Sequence, residues 1–239
     1  RIEEPQRGNM PALVESLAKD AEQAVVQSVH GAAGVDAILA YDEDRYLVGR
    51  ADAGGDEPAL ERLTDEPWLY YGKGSLMMHA VRAAVGDSSV DAALRSVIAR
   101  HRGSGGVATA PVLRSALLAH ARTATDSAAI VEWFGGRAVW DVVVDAITAA
   151  PPGYLVTVRA TRQGDATLPM EAAGASALIT MAGFDAAGSV QWRGTVAVRD
   201  GVGRVTLPAL PGVVQLVLDP ERRLLDRDRA NNRKELPPP

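Results

Sequence analysis

From Met10 to about residue 150 the apolar residues of this chain recur every three to four positions, with Ala and Leu dominant; beyond Pro151-Pro152 they recur every second position. The first period is that of helices with one buried face, the second that of strands with one buried face. The spacing predicts a helix from Met10 to about His30, broken at Gly31 and Gly34 before Val35 to Ala40 resume the pattern. Residues 51–67, rich in Gly, Asp, Glu and Pro, read as a loop with about one helical turn. Trp68 to Val85 reads as a second strong helix ended by Gly86. Ser88 followed by Asp91 resembles a capping box opening a helix to His101. The Gly103 to Gly106 stretch is a connector, Thr109 with Pro111 starts a helix through His120, and Asp126 caps another through Trp133. Short connections between such helices give an antiparallel array, and no sheet is expected before Pro151.

After Pro151, Tyr154, Val156, Val158 and Ala160 fall on one side of a strand with Thr157, Arg159 and Thr161 opposite. Val190 to Val198 and Val213 to Leu218 are also β-rich, and turn residues stand at Gly164-Asp165, Gly183 to Gly188, Asp200-Gly201 and Pro211-Gly212. The expected class is therefore α+β: a helical array over residues 1–150, a small antiparallel β-sandwich of immunoglobulin-like type over 151–220, and a charged tail over 221–239.

Composition narrows the partners. With 239 residues and 47% hydrophobic side chains there is material for one large domain or two modest ones. A net charge of -5 offers no basic surface to a phosphate backbone, so nucleic acid is not an expected partner. The absence of cysteine removes disulfides, thiolate metal sites and thiol nucleophiles. No run approaches the roughly 18 apolar residues of a membrane span, and the start at Arg1-Ile2-Glu3-Glu4-Pro5 reads as that of an excised segment or a processed terminus.

Glu15 and Tyr71 each admit a chemical and a structural reading. Glu15 lies between Val14 and Leu17 on a largely apolar helix. On the buried side such a carboxylate requires a metal or a cation, whereas facing solvent it is an ordinary helical Glu. Tyr71, next to Tyr70, carries a phenol suited to donate a hydrogen bond to a developing oxyanion, and it equally suits packing at a helix start. Gly72 and Gly74 let a backbone approach beside it, and Lys73 is placed to pair with a carboxylate. Ser75, Met78, His79 and Arg82 share its helical face and are placed to line a cleft. His30, His79, His101 and His120 have no metal-ligand spacing. Residues 226–232 have the outline of a calcium loop, but Ala230 and Asn231 replace an acid and a glycine, so a hydrogen-bonded turn is expected.

Glu15-Ser16-Leu17-Ala18 followed 56 positions later by Tyr71-Gly72-Lys73-Gly74 resembles the M1 family of gluzincin zinc metallopeptidases. Further matches occur in order along most of the chain: Gln6 to Ala18, Tyr46 to Arg50, Tyr70 to Gly74, Asp219-Pro220, Leu224-Leu225-Asp226 and Asn231-Asn232. That order is similar to a bacterial branch of the family fused to ABC-2 type transporter permeases. The resemblance implies that Glu15 is the third zinc ligand, that Tyr71 stabilises the oxyanion, and that a His-Glu-x-x-His motif supplies two ligands and the general base. Eighteen residues separate its second His from the Glu in that family, which places this His about five residues before Arg1. The implied reading is the C-terminal part of an aminopeptidase-like zinc metallopeptidase that cleaves a peptide substrate in the complete protein. By itself this part is expected inactive and without bound zinc. It is expected to be a soluble domain of a membrane-anchored bacterial protein, associated with permease segments of the same parent chain. Val14-Glu15-Ser16 departs from the Asn-Glu-Gly of classical aminopeptidases, and the motif that grips a free amine lies outside the chain. A non-catalytic interaction or scaffold module of a transporter-associated protein is the alternative.

Overall fold

The computed structural model describes residues 10–55, 57–62, 66–102 and 108–237. The start of the chain, the Gly103 to Gly106 connector and Pro238-Pro239 lie outside the described residues. The chain forms two compact units, residues 1–137 with 165–167, and residues 138–164 with 168–239.

The first unit is helical. Helix α1 runs Met10–Asp52, but Gly31, at φ 67° and ψ -164°, has left the helical region within it. Lys19 Nζ meets Asp42 Oδ2 at 2.9 Å, although 23 residues of unbroken helix would hold them about 34 Å apart. The helix therefore folds back at Gly31 into two arms, residues 10–30 and 32–52. The sequence pattern expects this break, and its cause is a conformation that only a residue without Cβ adopts freely. The buried positions Leu13, Ser16, Asp20 and Gln23 on one arm, and Val35, Leu39, Asp42, Tyr46 and Arg50 on the other, form stripes at helical spacing.

A 3-10 turn, Leu60–Arg62, lies in the expected loop. Trp68–Lys73 is a π-helical turn that passes directly into α2, Gly74–Val85. Gly86, at φ 88°, ends α2 and serves as N-cap of α3, Asp87–His101. The capping box expected at Ser88 is not formed, because the single Gly86 makes the whole turn and leaves Ser88 inside the helix. Asp91 instead accepts from Arg82 Nη1 at 3.0 Å. Helix α4, Ala110–His120, begins at Thr109 with Pro111 in its first turn. Helix α5, Ala124–Gly135, is capped by Thr123, and Asp126 is the reciprocal member of that capping box at the third helical position.

The second unit is β throughout. Its strands are β1 Val139–Ala150, β2 Gly153–Gln163, β3 Ala177–Phe184, β4 Val190–Arg199, β5 Val202–Leu207, β6 Gln215–Leu218 and β7 Arg233–Glu235. Their order in the antiparallel sheet is β1-β2-β5-β4-β3-β6-β7. The expected alternation in β2 is present, with Tyr154, Val156, Val158 and Ala160 buried. They meet Val142, Val144, Ile179, Val196 and Leu216 in one apolar core.

Two boundaries differ from the sequence reading. The β unit begins near residue 138, not 150, because Val139 to Val144 is a run with three consecutive valines that pairs with β2 from Val139↔Gln163 onward. The tail after residue 220 is part of the same unit. Trp140 N donates to Leu225 O, Arg227 N to Trp140 O, and Val144 N to Asn231 O, so the tail covers the free edge of β1. The seven strands form one curled, nearly barrel-like antiparallel sheet, in keeping with the small sandwich-like β unit expected, with β4 and β5 held together at only two register pairs.

Candidate active site

Tyr71 occupies the π-helical turn, and two glycines let that turn press against both arms of α1. A Cβ on Gly72 would lie 3.0 Å from Asp42 O and from Tyr46 Cβ, and one on Gly74 would collide with Ser16 Oγ. The short motif around Tyr71 is thus a packing motif as well as a chemical one. Tyr70 turns inward, 8% exposed, and contacts Tyr71 edge to face with ring centres 4.8 Å apart. Tyr71 remains half-buried.

Folding the first arm of α1 alongside this turn brings Glu15 to Tyr71. The two residues singled out in the sequence become neighbours, the carboxylate placed to accept from the phenol. Partial desolvation and this neighbouring anion raise the Tyr71 pKa above its ordinary value, and Arg45 opposes the rise. Glu15 is half-buried, between the two orientations weighed from sequence. Arg45, on the second arm, sets its guanidinium carbon 5.4 Å from the centre of the Tyr71 ring.

Behind Tyr71 lies a buried ionic cluster centred on Glu57, which is 2% exposed. Glu57 Oε1 accepts from Lys73 Nζ at 2.7 Å and from Tyr46 Oη at 3.0 Å, and Oε2 accepts from Arg50 Nη1. Lys73 and Arg50 also donate to the carbonyls of Gly136 and Arg137, each at 2.7 Å. The pairing anticipated for Lys73 therefore exists, with Glu57 as its partner. Burial lowers the Lys73 pKa while Glu57 draws it back; burial and then Glu57 raise that of Tyr46. Glu57 escaped the sequence reading because it sits in a Gly- and Asp-rich loop where an acid ordinarily faces water. The i, i+4 spacing of Tyr46 and Arg50 was the available signal.

The other residues on the Tyr71 face do not all line a cleft. Ser75 and Met78 are fully buried, and Gln23 Nε2 donates to Ser75 Oγ at 2.9 Å. Arg82 makes a two-pronged pair with Asp20, Nε to Oδ1 at 2.6 Å and Nη2 to Oδ2 at 2.8 Å. Buried polar pairs here tie helix to helix.

In the β unit, Asp219 and Asp226 of the quoted motif organise the chain's end. Asp219 accepts from the amides of Arg223 and Leu224 at 2.9 and 3.0 Å, and Arg229 Nη1 stands 3.3 Å away. Asp226 accepts from Val142 N at 3.2 Å and Asp228 N at 3.0 Å. Asp228 in turn accepts from Ala230 N at 3.1 Å and Asn231 Nδ2 at 3.3 Å. Residues 226–232 form the hydrogen-bonded turn expected from the sequence.

Among the described residues no three His, Cys, Asp or Glu side chains converge in a way that would hold a metal, and no described helix is long and apolar enough to cross a membrane. At the candidate site Glu15 is a ligand-type carboxylate beside a phenol donor. No protein-family model and no curated protein matches the chain.

Proposed function

We propose that this chain is the C-terminal part of a zinc metallopeptidase of the M1 type, in which Glu15 is one zinc ligand and Tyr71 the oxyanion donor. One observation carries the reading: residues 56 positions apart, to which the family resemblance gives ligand and oxyanion roles, come together as a neighbouring carboxylate and phenol. Packing of the glycine-flanked π-turn on α1 makes that meeting possible.

A carboxylate is an ordinary third partner to two imidazoles at a catalytic zinc, so Glu15 fits the group. One ligand does not hold the ion at catalytic affinity, and the remaining two come from outside the chain in this reading. Bound zinc supplies Lewis acidity and an activated water. Glu15 contributes negative charge and fixes position. Tyr71 turns its hydroxyl from the Glu15 carboxylate to the oxygen on which negative charge develops during attack on a peptide carbonyl. Lys73, held by Glu57 two residues beyond Tyr71, fixes the turn so that little reorganisation is needed.

The test uses the parent chain extended upstream through a His-Glu-x-x-His segment, with zinc content and hydrolysis of aminoacyl and peptide substrates measured together. Glu15→Ala should lose zinc, and Tyr71→Phe should keep it while turnover falls by about 10²–10³. A parent chain that binds no zinc and cleaves nothing sinks the proposal. The alternative is a non-catalytic interaction or scaffold module of a transporter-associated protein. It draws support from an apolar cavity of about 1110 Å³ in the β unit, lined by Tyr154, Phe184, Leu210, Val213 and Leu236 among others.

A further inference from the structure

Beside the Glu15–Tyr71 pair stands a cation to which the peptidase reading gives no task. Arg45 is half-buried on the second arm of α1. Its guanidinium carbon lies 5.0 Å from the centre of the Tyr41 ring and 5.4 Å from that of Tyr71. Nη2 donates to Tyr41 Oη at 3.0 Å. No carboxylate among the described residues forms an ion pair with it; Asp42, one turn away, is fully buried and pairs with Lys19.

A guanidinium on a helix surface ordinarily samples many rotamers, and ordering it to bind a ligand costs conformational entropy. Arg45 is ordered beforehand. Contact with two ring faces and one phenol oxygen fixes the head group, and most of its five N–H donors have no partner among the described residues. A planar fork of donors, with no ion-pair partner among the described residues, matches a carboxylate. Its position selects which one. The Tyr71 ring that it covers carries the hydroxyl shared with Glu15, and an extended chain advances about 3.5 Å per residue. A carboxylate held at Arg45 is therefore within two or three residues of a carbonyl presented to Tyr71.

We propose that Arg45 is an anion subsite next to the Glu15–Tyr71 pair that takes a carboxylate of a peptide substrate, either the C-terminal group or an Asp or Glu side chain. That the ligand is a peptide rests on the metallopeptidase reading; that it is a carboxylate rests on Arg45 and its surroundings.

Two measurements test this, each on the unchanged protein, Arg45→Gln and Arg45→Lys. In the first, the chain is titrated by calorimetry with N-acetyl-Ala-Ala, its C-terminal amide, and N-acetyl-Asp-Ala amide. At least one carboxylate-bearing peptide should bind about tenfold or more tighter than the uncharged amide. The advantage should vanish in Arg45→Gln and return in part with Lys, and whichever carboxylate peptide shows it identifies the source. Equal binding of all three peptides, or an advantage that survives Arg45→Gln, overturns the proposal. In the second, the zinc-loaded parent enzyme is assayed on peptides with free and amidated C-termini and with an acidic side chain. Arg45→Gln should lower the preference for the carboxylate peptide about tenfold, mainly through KM. An unchanged preference with a uniform fall in kcat means that Arg45 only props Tyr71, and the subsite is refuted. Carboxylate binding without any turnover in the parent would remove the peptidase reading and leave the anion site standing.

Discussion

Glu57 gathers one phenol and two cations in a space almost closed to water, and the energetics of such a residue are asymmetric. The cluster as a whole adds little stability over a well-packed apolar alternative, because each charge gave up its hydration. Removing one partner is another matter. Glu57→Ala would strand Lys73 and Arg50, both under 5% exposed, and should cost the helical unit about 3–5 kcal/mol in chemical denaturation. At Glu15 the expected effect is spectroscopic. Glu15→Gln withdraws the anion that accepts from Tyr71, so the Tyr71 phenol should ionise at lower pH than in the unchanged protein. Ultraviolet titration, with Tyr71→Phe subtracted to isolate that phenol, reads the shift; an unmoved titration would mean that the two side chains are not paired in solution.

Among the elements, α1 and the π-turn depend on glycines for different reasons. Gly31 has nothing within 4 Å of where a Cβ would stand, so its requirement is conformational. At φ 67° and ψ -164° it occupies a region that side chains essentially exclude. Gly31→Ala should therefore destabilise the hairpin of α1 by about 1–3 kcal/mol without filling or opening any space. Gly74 has ordinary helical φ and ψ as C-cap of the π-turn, and its requirement is steric, set by Ser16 Oγ. Gly74→Ala should cost about 1–3 kcal/mol as overpacking, and Ser16→Ala should recover part of that loss. A double-mutant cycle by thermal denaturation checks the coupling, and strict additivity would rule out the contact.

Across the whole molecule, carboxylates are shifted in opposite directions, and the balance sets the response to acid. Asp165 and Asp185 are held low, led by backbone hydrogen bonds from Thr167 and Ser189 respectively. Their stabilisation is present above the usual carboxylate range and is lost as pH falls through the depressed values. Asp226 has the opposite sign. Burial pushes it up to about 6, so the folded protein binds its proton more tightly than the unfolded chain does. Its contribution is complete below about pH 4 and is lost as pH rises through about 6. Asp226→Asn should therefore gain on the unchanged protein as pH rises from 4 to 7, by up to about 3 kcal/mol. Denaturation at a series of pH values gives the difference, and a gap that does not change with pH would show Asp226 ionised throughout.

Period and turn chemistry made much of the fold legible. The break at Gly31, the stop at Gly86, the start at Thr109 and the buried face of Tyr154, Val156, Val158 and Ala160 follow from local rules that act within a few residues. Local rules also misplaced what they were applied to alone. Applied alone they place a cap at Ser88 where Gly86 already forms one, and they leave β1 in the helical part although Val142-Val143-Val144 signals a strand. The sequence by itself determined most of the helices and strands, because side-chain period is written along the chain, and its resemblance to a known motif order drew attention to Glu15 and Tyr71. Only the tertiary structure decided that Glu15 meets Tyr71, that Glu57 holds Lys73, that Arg45 lies over the Tyr71 ring, and that the tail closes the sheet against β1. Each of these contacts joins residues far apart in sequence, and which distant groups meet depends on how buried faces pack once every element competes for the same core.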